Sequence, residues 1–518
     1  MTRSAHDRPG RTSEQAEVAA FLASPATHGV RRVKRIDTHI STVFLAGDRA
    51  YKLKRAVRFD FVDFSTVERR QKACEAEVRI NRRTAPSLYL GVLPVTRDDG
   101  NLALGGRGRP VDWVVAMVRF DEATLFDRLA AAGRLNPELA EGLTDAVVRL
   151  HDKAPRRPDQ GGLRGMQWVL AGNADGLRLQ AGEVVGAEDV DRYLRQAEAA
   201  LRRHGSLLEK RREEGFVRAC HGDLHLGNIC LVDGCPTLFD AIEFNDAVSC
   251  CDVLYDLAFL IMDFLHRGLD ELANLVFNRY LAATGDVAGL PPFGLFLSCR
   301  AAVRGKTSAM SAARQRKADA ARAFRQEARR YLKQAVAFLE PPPPRLVAIG
   351  GLTGSGKSTL AARLAPRLGA PPGALVLRSD VIRKRLFGKG PCERLGAEAY
   401  TSAVTRRVYA ALGEAAAEGL RAGQSVIADA VFGRPGERES IARIARKAGT
   451  PLTSFWLEAP DEVLARRVRA RMADASDATE AVLRQQLTYP VGDLDWQRLD
   501  ASGSPEATQR QAEAVLAR

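Results

Sequence analysis

The sequence predicts a two-domain protein, an α+β domain followed by an α/β domain whose parallel sheet is flanked by helices. Three observations lead there. The chain has 518 residues, more than one ordinary core holds. The run Pro341-Pro-Pro-Pro344 cannot continue a helix and forms a stiff, extended spacer. Beyond it, apolar runs at 345–349, 374–378, 425–428 and 452–457 alternate with helical stretches, the pattern of a parallel sheet with crossover helices. The expected limits are therefore 1–340, a linker at 341–344, and 345–518.

In the first domain, Ser41-Thr-Val-Phe-Leu45, a Gly47-Asp48 turn and Ala50-Tyr-Lys-Leu-Lys54 read as a β-hairpin. A charged helix over Val67 to Arg83 and a strand over Val111 to Arg119 follow. Past residue 124 the chain reads as mostly helical, apart from the surroundings of Thr237-Leu-Phe239. Residues 312–340 are nearly free of Gly and Pro and place Tyr331, Leu332, Val336 and Phe338 at roughly helical spacing, so one long helix is expected to close the domain.

Composition narrows the function classes. Hydrophobic content of 46% and charged content of 27% are those of a globular chain, not of a disordered or fibrous one. The net charge of +14 suits anionic partners such as nucleotides. Its arginines are dispersed, and no dense basic block interleaved with aromatics marks a nucleic-acid surface. The eight cysteines include no Cys-x-x-Cys pair and no zinc spacing, so they read as buried apolar residues in a reducing cytosol. The N-terminus is polar, and the most apolar run, Val253 to Leu265, is interrupted by Asp256 and Asp263. A cytoplasmic protein without a membrane partner is expected.

Residues 350–359 read Gly-Gly-Leu-Thr-Gly-Ser-Gly-Lys-Ser-Thr, directly after an apolar strand and before the helical stretch Thr359 to Ala365. Gly351, Gly356, Lys357 and Ser358 satisfy the phosphate-loop spacing. Small residues there let the backbone N–H groups around Thr353, Gly354, Ser355 and Thr359 close on phosphates. Lys357 reaches the outer phosphates as a point charge, and the Ser358 hydroxyl suits magnesium. ATP and Mg2+ are the expected ligands. At a neighbouring strand end, Asp380 of Arg378-Ser-Asp380 can orient a substrate hydroxyl, with a helix N-cap as the plainer reading. Arg383 can hold an anionic part of that substrate. Asp429, ending Ser425-Val-Ile-Ala-Asp429, suits a supporting magnesium role. Among the arginines of 461–471, Arg467 and Arg471 lie four apart on one helix face and are the candidates for a lid on the transferring phosphate. This half resembles small-molecule kinases related to gluconate and shikimate kinase.

A second constellation lies in the first domain. Residues 221–228 read His-Gly-Asp-Leu-His-Leu-Gly-Asn, and Leu238-Phe-Asp240 follows. Phosphoryl transfer in kinases uses an acceptor-orienting carboxylate, an amide and a carboxylate on magnesium, and a lysine on the phosphates. Asp223, five positions before Asn228, has the spacing of base and metal-binding Asn, and Asp240 is the second metal candidate. Lys52 would touch the phosphates, and Glu77 on the following helix could pair with it. Lys52 and Lys54 share one strand face, so periodicity does not choose between them. His221 and His225 read as loop organisers, and Asp252 and Asp256 as braces of the loop or helix caps.

His221 to Asn228 together with Phe239-Asp-Ala-Ile-Glu-Phe244 resembles the aminoglycoside phosphotransferase-like, protein-kinase-like superfamily over roughly residues 35–310. The resemblance implies a two-lobed fold with ATP in the cleft, Asp223 as catalytic base, Asn228 and Asp240 as magnesium ligands, and Lys52 rather than Lys54 on the phosphates. The whole arrangement is similar to bacterial two-domain proteins labelled aminoglycoside phosphotransferase/ATP-binding. One departure stands out: no Gly-x-Gly-x-x-Gly covers the nucleotide, only Gly47 in a tight hairpin. Acids that could line a polycation pocket are few (Glu243, Asp246, Asp252, Asp256), which argues against an aminoglycoside acceptor.

The expected function is an ATP- and Mg-dependent phosphotransferase with two kinase-like modules acting on alcohol groups of small hydroxylated metabolites. The competing readings make one half a nucleotide-sensing regulatory module, or the acceptor a nucleic-acid end.

Overall fold

The computed structural model describes residues 13–517 except 60–61, 316, 391–392, 471–476, 478 and 489–490. The chain packs as two compact units, one running to Gly165 and resuming over Lys210–Leu260, the other made of Met166–Glu209 and the chain from Ile261 onward.

The first unit is built on a six-stranded antiparallel sheet in the order Val33–Asp37, Ser41–Ala46, Arg49–Lys54, Arg109–Val118, Tyr89–Asp98, Asn101–Leu104. Its central hairpin turns at Gly47, whose φ of 61° is the left-handed conformation that a two-residue turn requires, and pairs Val43 with Lys52 and Phe44 with Tyr51. The strand period of two divides Arg49–Lys54 between two environments. Ala50 packs with Leu45, Val115 and Met117 against Cys74 and Val78 of helix Val67–Asn81. Leu53 instead joins Phe44, Val95, Val111 and Val114 under Val18, Ala19 and Leu22 of helix Ser13–Ala23. Lys52 and Lys54 share parity with Ala50, which directs both toward the helix carrying Glu77. The Val67–Asn81 helix starts where the Thr66 hydroxyl accepts from Arg69 N–H. Farther along, the strands Val217–Ala219 and Ile229–Val232 flank the loop 220–228.

The second unit contains a five-stranded, wholly parallel sheet in the order Leu375–Arg378, Val426–Asp429, Leu346–Gly351, Leu452–Glu458, Gln497–Asp500. Four strands fall on the expected apolar runs; the fifth, Gln497–Asp500, was not expected. The edge strand Leu375–Arg378 is sealed by helix Asp270–Thr284: Asn278 accepts from Val376 N–H at 2.6 Å and, with Asn274, donates to Ala374 O at 3.1 Å. Side-chain amides thus stand in for the missing neighbour strand.

The single closing helix expected over 312–340 is corrected. Two helices, Phe293–Arg314 and Ala318–Ala337, are separated at Gln315, which is extended (φ −73°, ψ 132°). The chain folds back so that Ser298 donates to Ala335 O at 2.6 Å and Tyr331, Leu332, Ala335 and Val336 are buried. Doubling back buries the apolar stripe, which one straight helix would leave in water.

Among the described residues no helix is long and apolar enough to cross a membrane. The described cysteines are free thiols, buried except for Cys235. Burial pushes the Cys74, Cys230 and Cys299 thiols up to about 12 and Cys250 to about 11. Because the thiolate is the reacting form, iodoacetamide at about pH 8 is expected to alkylate Cys235 first among these and to reach Cys74, Cys230 and Cys299 only after unfolding. Native labelling of Cys299 at the rate of Cys235, read by peptide mass mapping, would contradict this packing.

Candidate active sites

In the first unit, the loop 220–228 is held from below by one buried carboxylate. Asp256 accepts from the backbone N–H of His221 at 3.1 Å and of Gly222 at 2.8 Å, and lies 3.1 Å from His151 Nε2. Gly222 has φ 84°, and a Cβ there would lie 3.0 Å from Ser249 Cα, so the loop admits only glycine. His221 Nε2 is 3.0 Å from Phe239 O, which fastens the loop to the segment carrying Asp240. Asp252 does not touch the loop in this way; it takes a bidentate pair from Arg211 at 2.6 and 2.8 Å and accepts from Leu254 N–H.

Asp223 sits at the mouth of this loop with 38% of its side chain exposed. Asn228 Nδ2 donates to its Oδ2 at 2.9 Å and to its backbone O at 3.0 Å, and His225 Nε2 lies 3.3 Å away. His225 is itself fixed by Gly227 N–H on Nδ1 at 3.1 Å. The carboxylate is thus aimed by two neighbours and open to an incoming proton donor. Both histidines organise the loop.

Lys52 Nζ lies 2.9 Å from Glu77 and 2.5 Å from Asp240, joining the hairpin, the helix and the loop after Leu238 at one ammonium. Asp240 takes φ 62°, unusual for a residue with a side chain, and its N–H donates to Tyr89 Oη at 3.1 Å. The structure also brings in a group that sequence reasoning left aside: Lys54, 1% exposed, pairs with both Glu77 and Glu243. The periodicity that placed both lysines on one face was the signal; the second anion, three residues after Asp240, was read only as a candidate pocket acid. Burial works against charge throughout this cluster. For Glu77 the attraction of Lys52 and Lys54 wins and holds the carboxyl at about 2, whereas burial pushes the Glu243 carboxyl up despite Lys54. Burial also opposes the Lys52 ammonium, yet Asp240 and Glu77 raise it well above its ordinary range.

In the second unit, strand Leu346–Gly351 runs through a glycine loop into helix Lys357–Leu364. Gly351, Gly354 and Gly356 have φ of 137°, 82° and 93°. A Cβ at Gly351 would lie 2.7 Å from Leu457 O and one at Gly354 2.7 Å from Leu464 O, so the loop lies hard against its neighbours. Thr353 N–H donates to Gln486 at 2.8 Å, and the Ser355 hydroxyl is buried without a hydrogen-bond partner among the described residues. Lys357 Nζ rests on Leu352 O at 2.9 Å, and Thr359 is exposed in the first helical turn. The Ser358 hydroxyl donates to Asp429 Oδ2 at 2.6 Å, with Arg378 Nε 3.5 Å from the same oxygen. Burial raises the Asp429 carboxyl above its ordinary range in spite of Arg378 and Lys357. A buried carboxylate only partly compensated, a serine hydroxyl beside it and an unpartnered buried hydroxyl in a glycine cradle fit a phosphate with its dication.

The helix after the edge strand begins at Ser379, with Arg378 as its N-cap, and places half-buried Asp380 in its first turn. Arg383 is buried; it donates to Ala399 O at 2.7 Å and stacks 5.0 Å over the Tyr400 ring. Arg467, expected on a lid, donates to Ala501 O at 2.7 Å and Gly503 O at 2.9 Å, which ties its helix to the loop after the last strand. Arg471 lies outside the described residues. A cavity of about 280 Å³, lined by Leu352, Trp456, Glu458, Asp461 and Gln486 among others, opens beside the phosphate loop.

Comparison with known proteins finds two matched segments, the first of which runs through parts of both compact units. Residues 35–292 match the phosphotransferase enzyme family and residues 346–489 an AAA domain, one on each side of the proline run. Uncharacterized proteins of Mycobacterium tuberculosis (strain H37Rv) and Mycobacterium bovis are 31% identical over 486 residues, spanning 92% of this chain and 94% of each relative. The chain belongs to their two-domain family, which joins a phosphotransferase-family half to a P-loop kinase-like half. Both halves are of kinase type. Among solved structures, a choline/ethanolamine kinase family protein from Mesorhizobium loti is 16% identical (TM-score 0.40; 63% of this chain, 99% of that one). A gluconokinase from Sinorhizobium meliloti 1021 is 23% identical (TM-score 0.26; 34% and 93%).

Proposed function

We propose that the chain transfers the γ-phosphoryl group of ATP to hydroxyl groups of small metabolites at two separate sites, one in each kinase-type half. The observation that carries this reading is the meeting of Lys52, Glu77 and Asp240 at one ammonium in the unit where Asn228 orients Asp223. Magnesium-ATP would supply the transferable phosphoryl group and the charge neutralisation it needs. In the first site Asp223 accepts the acceptor hydroxyl's proton, Asn228 and Asp240 hold the metal, and Lys52, steadied by Glu77, holds the phosphates. In the second, the N–H groups of 351–359 and Lys357 hold the phosphates, and Ser358 with Asp429 holds the metal. Asp380 orients the acceptor and Arg383 binds its anionic portion. Arg467 fixes the helix from which a lid would hinge, and Arg471 is the lid arginine. The domain limits we assign are 1–340 and 345–518, and the free thiols support a reducing cytoplasm.

The test is incubation of the full chain with magnesium-ATP and a library of hydroxylated metabolites, following ADP and phosphorylated product together. ADP matched by an equal amount of a phosphorylated alcohol is expected. Nucleotide binding without any phosphorylated product would overturn the assignment.

A further inference from the structure

Helix Ser13–Ala23 lies before the segment that matches the phosphotransferase family, which begins at residue 35. Its apolar side is ordinary cover: Val18, Ala19 and Leu22 bury against Phe44, Leu53 and Val114. Its polar side is not. Gln15, 3% exposed, donates from Nε2 to Lys54 O at 3.0 Å and to Asp112 Oδ2 at 2.9 Å, and accepts from Ala56 N–H on Oε1 at 2.7 Å. The other oxygen of Asp112 accepts from Arg70 Nε at 2.7 Å. Asp112 is fully buried and Arg70 is 4% exposed. Arg70 and Glu77 stand seven residues, about two turns, apart on one helix and hence on one face.

Gln15 therefore holds both ends of the lysine–glutamate cluster. Through Lys54 O and Ala56 N–H it fixes the main chain from which the Lys54 side chain reaches Glu77 and Glu243. Through Asp112 and Arg70 it fixes the first half of the helix that delivers Glu77. We infer that helix Ser13–Ala23 is a built-in clamp on the first active site, with Gln15 as a positioning residue that sets where Glu77 meets Lys52. The inference rests on the phosphotransferase reading for its effect on turnover, and on packing alone for its effect on the helix.

Two near-isosteric variants in the full chain test it. Gln15→Glu replaces the amide donor by a carboxylate facing Asp112 and Lys54 O; Gln15→Met removes the hydrogen bonds to Lys54 O, Asp112 and Ala56 N–H without adding charge. Both keep the apolar face of the helix. The first readout needs no activity: alkylation of Cys74, fully buried on the Glu77 helix, is expected to accelerate about tenfold, while Cys299 in the second unit keeps its wild-type rate. The second is the activity that depends on Asp223, whose kcat is expected to fall about tenfold to a hundredfold, more than KM for ATP changes. If Gln15→Met leaves Cys74 protection and kcat at wild-type values, the helix is apolar cover only and the clamp is wrong. Equal acceleration at Cys74 and Cys299 would mean general unfolding and would also overturn it. Loosening of Cys74 in a protein whose wild type shows no turnover would leave the clamp standing and refute the phosphotransferase reading instead.

Discussion

Glu77→Ala is expected to destabilise the protein by about 3–5 kcal/mol, the cost of stripping an anion from buried cations. Glu77 is fully buried and, among the described residues, pairs with both Lys52 and Lys54. Its removal leaves Lys54, 1% exposed, with Glu243 alone, and Lys52 with Asp240, which the proposed chemistry needs for metal. Urea unfolding followed by circular dichroism measures the loss. Adding Lys54→Met to Glu77→Ala should return part of it, since the uncompensated charge goes with the lysine. The same carboxyl sets an acid limit. Its folded value of about 2 lies below the ordinary 4.5, so its contribution is complete above the ordinary value and drains away as pH falls from there through about 2. Stability of Glu77→Ala should accordingly depend less on pH in that window than wild type does.

The second large effect is on turnover. Asp223→Ala is expected to lower the first site's rate by about 10²–10⁴-fold, the usual worth of a positioned proton acceptor. Its effect on stability should be small, because the side chain is 38% exposed and Asn228 keeps its hydrogen bond to the backbone oxygen of residue 223. A large drop in unfolding free energy for Asp223→Ala would show that the carboxylate is part of the scaffold rather than a group held ready for substrate.

How far the sequence carried this picture depended on how local each signal was. The glycine loop at 350–359 was legible because strand, loop and helix are contiguous and each glycine answers to a φ or a close approach that a side chain forbids. The meeting of Asp223 with Asn228 was legible because the two lie five positions apart in one short loop. The Lys54 pair with Glu243 was not, since it joins residues 189 positions apart and a lysine in a strand ordinarily points to water. Gln15 was invisible for the same reason: a lone glutamine in a short helix says nothing until Asp112 and Lys54 O are beside it. The break at Gln315 was missed because no Gly or Pro marks it; tertiary burial of Tyr331 and Leu332 overrides a sequence that is locally content to be helical. Strand Gln497–Asp500 was missed because only Leu499 of its four residues is buried.

The central claim is that two independent phosphotransferase sites share this chain. The most direct test is magnesium-ATP turnover of the intact protein, Asp223→Ala and Lys357→Ala on the same set of hydroxylated acceptors. Each substitution is expected to abolish a different phosphorylated product, with a loss of about 10²–10³-fold for Lys357→Ala, while leaving the other product in place. Retention of both products in either variant would contradict it.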